Sequence, residues 1–261
     1  MRAAALSLVV FAALWGVAQV TPGLSAGVFG AVILLLAVPL TLIGAYAAAI
    51  RRAHRLTALE RDGWVFRALS GPVLRVGLCF VGAVVLACVM VLRLVGQGWA
   101  EWAVLGVTAV SVPMAAQAWR GAVEAQIAPA FRLAARLRAG RIIGAGLALA
   151  VYGLWLSLCP DAAPFDPPQG PFRSALVEQS VLISGQWRLL EAYALGQLSA
   201  LGAWGRSAAV LAVVLGNLAL VWAATGLVAA MLLPRRVWPV AFAHAGATVP
   251  ASVGWSAAVV T

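Results

Sequence analysis

The chain has no lysine, only two histidines and three cysteines, and eight acidic residues against 18 basic ones, every one an arginine. Each shortage removes a class of chemistry. Cys79, Cys88 and Cys159 form no CxxC pair and no even-numbered framework. The first two fall on opposite faces of one apolar segment, so they read as small buried hydrophobes. His54 and His244 lack a second ligand at helical spacing, which leaves zinc and haem without a site. No Walker loop, dinucleotide fingerprint or zinc-protease helix occurs. Ser184 stands before Gly185, but the topology derived below holds it across the bilayer from His244, out of reach for a nucleophile and its base. No catalytic residue, metal or cofactor is expected, and the chain reads as non-enzymatic. With lysine absent, any single arginine counts as generic positive charge unless its neighbours add to it.

Charge is scarce too. Only 10% of the 261 residues are charged, 64% are hydrophobic, and the mean hydropathy is +0.99. Soluble domains are about half apolar and a quarter charged, so a soluble fold is excluded. The expected fold is an all-α polytopic transmembrane helix bundle, one integral membrane domain over residues 1–261. Apolar stretches of crossing length fall at about residues 3–20, 28–50, 72–95, 99–119, 142–159, 205–233 and 238–258, against the ~20 residues that a crossing needs. That makes seven spans, or six if the first is a cleaved signal peptide. Trp99, Trp102 and Trp119 bracket one span and Trp238 and Trp255 another, as headgroup anchors. Pro39 and Pro113 lie inside spans and predict kinks.

The net charge of +10 would suit nucleic acid, but its distribution follows the spans and no nucleic-acid partner is expected. With the N-terminus in the cytoplasm, every arginine except Arg93, Arg173, Arg188 and Arg206 falls on the inner side: Arg2, the basic loops at 51–71 and 120–141, Arg75, and Arg235 with Arg236. That asymmetry sets the orientation, in a bacterial inner membrane. Residues 160–204 form the one sizeable outer, periplasmic loop, Pro-rich as far as Phe172. Beyond it Leu176, Val177, Val181, Ile183 or Ser184, Trp187, Leu190 and Tyr193 recur at helical spacing, with Glu178, Arg188 and Glu191 between them. An amphipathic helix on the outer surface is expected.

Polar groups at bilayer depth are few. Asn217, with Gln117, Thr225 and His244, is expected to hydrogen-bond between helices. "AHRLTALERDG" (53–63) and "AFRLAARLRAG" (130–140) share six of eleven positions, a similarity that the skewed composition explains without a repeat. Each is expected to form a short basic helix at the inner leaflet, the second capped by Gly140. Arg51, Arg52, Arg55, Arg132, Arg136, Arg138, Arg141, Arg235 and Arg236 would contact anionic lipids or a partner. Two functions fit: a non-catalytic subunit that anchors or assembles a larger membrane complex with other membrane-protein subunits, or a transporter or channel for a small apolar or amphipathic solute. The second would be lined by Asn217, Gln117, Ser111 and the Pro113 kink.

Overall fold

The computed structural model describes residues 2–55, 72–95, 99–122, 126–127, 129–158, 171–200 and 202–242. Among them the regular structure is helical and no strand occurs. In chain order the helices are α1 (Arg2–Gln19), α2 (Ala26–Arg55), α3 (Pro72–Leu94), α4 (Trp99–Ala122), α5 (Pro129–Leu158), α6 (Ala175–Ser199), α7 (Ala203–Gly216), α8 (Leu218–Met231) and the short α9 (Trp238–Phe242). Among the described residues four stretches are long and apolar enough to cross a membrane: Ala26–Arg51, Pro72–Leu94, Glu101–Arg120 and Phe131–Leu158. A fifth follows if α7 and α8, bent by 42° where they join, are one span. The chain is thus a helical membrane protein. The first expected span is apolar but shorter, over Ala4–Gln19. Of the last one only α9 is seen, and residues 243–258 lie outside the described residues.

Helix α8 is the centre of the bundle. Leu220, Val221 and every residue from Ala223 to Ala230 are buried, and α8 packs on α1, α2, α3, α4 and α5. A helix enclosed by others must be apolar all round, and the sequence "LALVWAATGLVAAM" is. Thr225, its one hydroxyl, donates to the Trp222 carbonyl at 3.0 Å and so needs no partner from another helix. The side chains around it, Leu36, Leu40, Met90, Leu105, Val112 and Leu227, form the largest apolar cluster.

Prolines do not mark the break in this bundle. Pro39 and Pro113 lie within continuous helices. The bend falls at Asn217, because its side chain enters the helical ladder: Nδ2 donates to the Val213 carbonyl at 3.0 Å, while its backbone N–H is shared between Val213 and Val214. Such competition loosens one turn and lets the axis change direction.

Helices α4 and α5 pack closely. A Cβ added to Gly140 would stand 2.9 Å from the Val112 carbonyl oxygen, and one on Gly144 2.5 Å from Val112 Cγ2. Both glycines are therefore required by proximity. This corrects one expectation. Residues 130–140 are not a separate surface helix capped by Gly140 but the opening turns of α5, which runs unbroken to Leu158. Nothing in that stretch interrupts a helix, and Gly140 serves close packing instead. Of its counterpart, only Ala53, His54 and Arg55 are described, at the end of α2.

Candidate functional site

The described carboxylates, Glu101, Glu178 and Glu191, lie toward one end of the bundle, and α6 lies across that end. Its start is tied to the turn between α1 and α2 by the Arg173 N–H to the Pro22 carbonyl, 3.0 Å. Midway, Ser184 donates from Oγ to the Val95 carbonyl at 3.3 Å, satisfying an acceptor left open at the end of α3. Beyond α6 the chain turns at Gly202, whose φ of 84° lies in the left-handed region, and α7 packs back along α6.

Beneath α6 sits a buried cluster of charge. Arg93, from the last turn of α3, pairs with Glu191 of α6, and Arg188 of α6 pairs with Glu101 from the first turn of α4. The side chains are 7% and 11% exposed in the first pair and 7% and 5% in the second, so all four charges have left water. Glu191 Oε1 collects two further donors, Trp187 Nε1 at 2.9 Å and Asn217 Nδ2 at 3.3 Å. The Arg93 guanidinium stands 5.1 Å from the centroid of the Trp187 ring, a cation–π distance. Tyr152 of α5 lies within the field of all four charges.

The arrangement is electrically neutral, and that makes it tolerable. A buried ion is stable only with a partner of opposite sign and hydrogen bonds on its remaining atoms. Burial alone would lower the Arg188 pKa; the Glu101 carboxylate, hydrogen-bonded to it, outweighs that and holds it above the ordinary arginine value. Among the described residues, three nitrogens, Arg93 Nη1 and Arg188 Nε and Nη2, have no hydrogen-bond partner. Among the described residues no three His, Cys, Asp or Glu side chains are grouped as metal ligands.

The cluster makes α6 inverted. Val177, Val181, Ser184 and Arg188 form its buried side, while Leu182, Ile183, Trp187, Leu189, Leu190 and Tyr193 are exposed. The apolar stripe read from the sequence is thus split, with Val177 and Val181 inside and Leu176, Trp187, Leu190 and Tyr193 outside. Arg188, expected to face water, faces the bundle. The signal was present in two places: opposite charges flank the short α3–α4 connection at Arg93 and Glu101, and opposite charges stand one helical turn apart at Arg188 and Glu191.

Asn217 joins this cluster; the other intramembrane polar candidates do not. Gln117 is exposed on α4, Thr225 is closed within α8, and Ser111 lies where α4 meets Gly144. His244 lies outside the described residues. The arginines expected to meet lipid or a partner gather at the opposite end. Arg51, Arg138, Arg235 and Arg236 are exposed, Arg136 is half-buried, Arg132 donates from Nε to the Ile127 carbonyl at 2.9 Å, and Arg52 and Arg55 belong to the end of α2. Arg141 turns into the bundle, its guanidinium 4.2 Å from the Trp222 ring centroid. The chain matches no protein-family model, no curated protein and no solved structure.

Proposed function

We propose that the chain is a seven-span protein of a bacterial inner membrane, with its N-terminus in the cytoplasm, that serves as a non-catalytic subunit anchoring or assembling a larger complex of secretion, conjugation or envelope type. The observation that carries this reading is the inverted α6. Arg188 and Glu191 are spent on fastening it to α3, α4 and the α7–α8 break, and its free face offers seven large apolar side chains. With Glu178, Arg188 and Glu191 along it, α6 is not among the helices apolar enough to cross. A contiguous apolar face on a helix that does not span marks a contact surface. The basic ends of α2 and α5 supply the second contact, with anionic lipid or a partner on the cytoplasmic side.

A photo-crosslinking residue at Leu189 or Leu190, activated in the native membrane, is expected to give a discrete protein adduct. The same probe at Leu78 or Val81, exposed on the spanning helix α3, should give lipid adducts alone. Lipid or self adducts only from α6 would end the subunit reading.

A second reading, passage of a small amphipathic solute, draws on the broken α7–α8 helix with Asn217 and four charges at its bend. Discontinuous helices that bury ionisable groups are the usual frame of transport sites. It expects flux in proteoliposomes to fall at least about tenfold in Asn217→Ala. Unchanged flux in that variant would remove the bend from any pathway.

A further inference from the structure

The two buried ion pairs have a symmetry that plain fastening does not require. Each joins α6 to the bundle, and each side supplies one cation and one anion: Arg188 and Glu191 from α6, Arg93 and Glu101 from α3 and α4. Within the cluster, each side is therefore neutral by itself.

A second pairing is built into the same four residues. Arg188 and Glu191 stand three positions apart on one helix, where side chains are neighbours. Arg93 lies in the last turn of α3 and Glu101 in the first turn of α4. Because the residues they pair with lie one turn apart on α6, these two are within reach of each other as well. When α6 moves off, each charge has an opposite charge on its own side. The other ties outlast that exchange or pass to water. Trp187 Nε1 bonds Glu191 within α6, and Asn217 keeps the Val213 carbonyl when it gives up Glu191. Ser184 Oγ and the Val95 carbonyl exchange their bond for water at little net cost, as do the Arg173 N–H and the Pro22 carbonyl. The large apolar side chains that α6 buries are Val177 and Val181. At Gly202, which follows α6, φ is 84° and an added Cβ would meet nothing within 4 Å, so the turn has the freedom of a hinge.

We propose that α6 is a strap with two paired states. In the closed state, Arg93–Glu191 and Arg188–Glu101 tie it across the end of the bundle. In the lifted state, Arg188–Glu191 and Arg93–Glu101 form instead, and the broken α7–α8 helix is uncovered at Asn217. Whatever binds the exposed face of α6 or the uncovered break better in one state shifts the balance between them. The inference rests on neither the subunit nor the solute reading.

The test is labelling of the full chain in lipid nanodiscs by a water-soluble maleimide. Cys79, Cys88 and Cys159 are replaced by alanine, and Ser184→Cys, 2% exposed on the buried side of α6, is the reporter. Glu101→Arg/Arg188→Glu keeps both closed pairs opposite in charge and sets like charges together in the lifted state. It is expected to slow labelling at least about tenfold; Arg93→Glu/Glu191→Arg, of the same kind, serves if the first does not fold. Arg93→Glu/Glu101→Arg does the reverse, mispairing the closed state alone, and is expected to speed labelling by a similar factor, with Arg188→Glu/Glu191→Arg as its substitute. Thr225→Cys, wholly buried in α8, should stay protected throughout. Rates that do not change, or that move in the same direction for both kinds of exchange, would overturn the proposal, since a single paired state is only disrupted by such variants. Labelling of Thr225→Cys in step with Ser184→Cys would also overturn it, by making the opening an unfolding of the bundle.

Discussion

Glu101→Ala is expected to destabilise the detergent-solubilised protein by about 3–5 kcal/mol, the usual consequence of leaving one member of a buried ion pair without its partner. Its carboxylate is the hydrogen-bonded anion of Arg188, and both side chains are almost wholly out of water. Without it, a guanidinium with two nitrogens that find no partner among the described residues keeps its charge in a buried site. Glu101→Gln should fare little better, since it keeps the shape and removes the charge. The informative variant is Glu101→Leu/Arg188→Met. Removing both charges also removes their desolvation, so most of the lost stability should return. Thermal melting followed by size-exclusion chromatography reads all three. If the double variant melts as low as the singles, the effect belongs to packing around Glu101 and not to the pair. The same series distinguishes anchoring from passage: a cluster that only fastens α6 can be made apolar without loss of assembly.

Much of this architecture is legible without coordinates. The crossing stretches follow from runs of apolar residues, and the central place of α8 follows from its lack of any polar face. Asn217, the only asparagine in the chain, announces itself as a group that needs a partner. What cannot be read is which partner it takes. A glutamate in an outer loop is ordinarily solvated, and only the path of α6 across the end of the bundle brings Glu191 to Asn217 and Arg93. Periodicity likewise shows that α6 has two faces but not which one turns inward. That choice is set by Arg93 and Glu101 on α3 and α4, two charges that must be matched from outside their own helices. The α5 start was misleading for a related reason. A basic amphipathic segment and the end of a long spanning helix have the same composition, and the difference lies in the unbroken turns that follow Gly140.

The packing of α4 on α5 makes a sharper prediction, because its two glycines meet different atoms of the same residue. At Gly144 the obstacle is a side chain: a Cβ would stand 2.5 Å from Val112 Cγ2. At Gly140 it is backbone: a Cβ would stand 2.9 Å from the Val112 carbonyl oxygen and 3.0 Å from the Ala116 Cβ. Gly144→Ala and Gly140→Ala are each expected to cost about 1–3 kcal/mol by overpacking, more for larger residues, since helices this close cannot part without opening contacts along their length. Adding Val112→Ala should then separate the two. It removes the methyl that blocks Gly144→Ala, so that pair should recover most of its melting temperature. It leaves the carbonyl that blocks Gly140→Ala, so that pair should recover nothing and lose further from the vacated space. Equal rescue at both positions would mean that the seam relaxes as a whole, and that Val112 does not set the distance between α4 and α5.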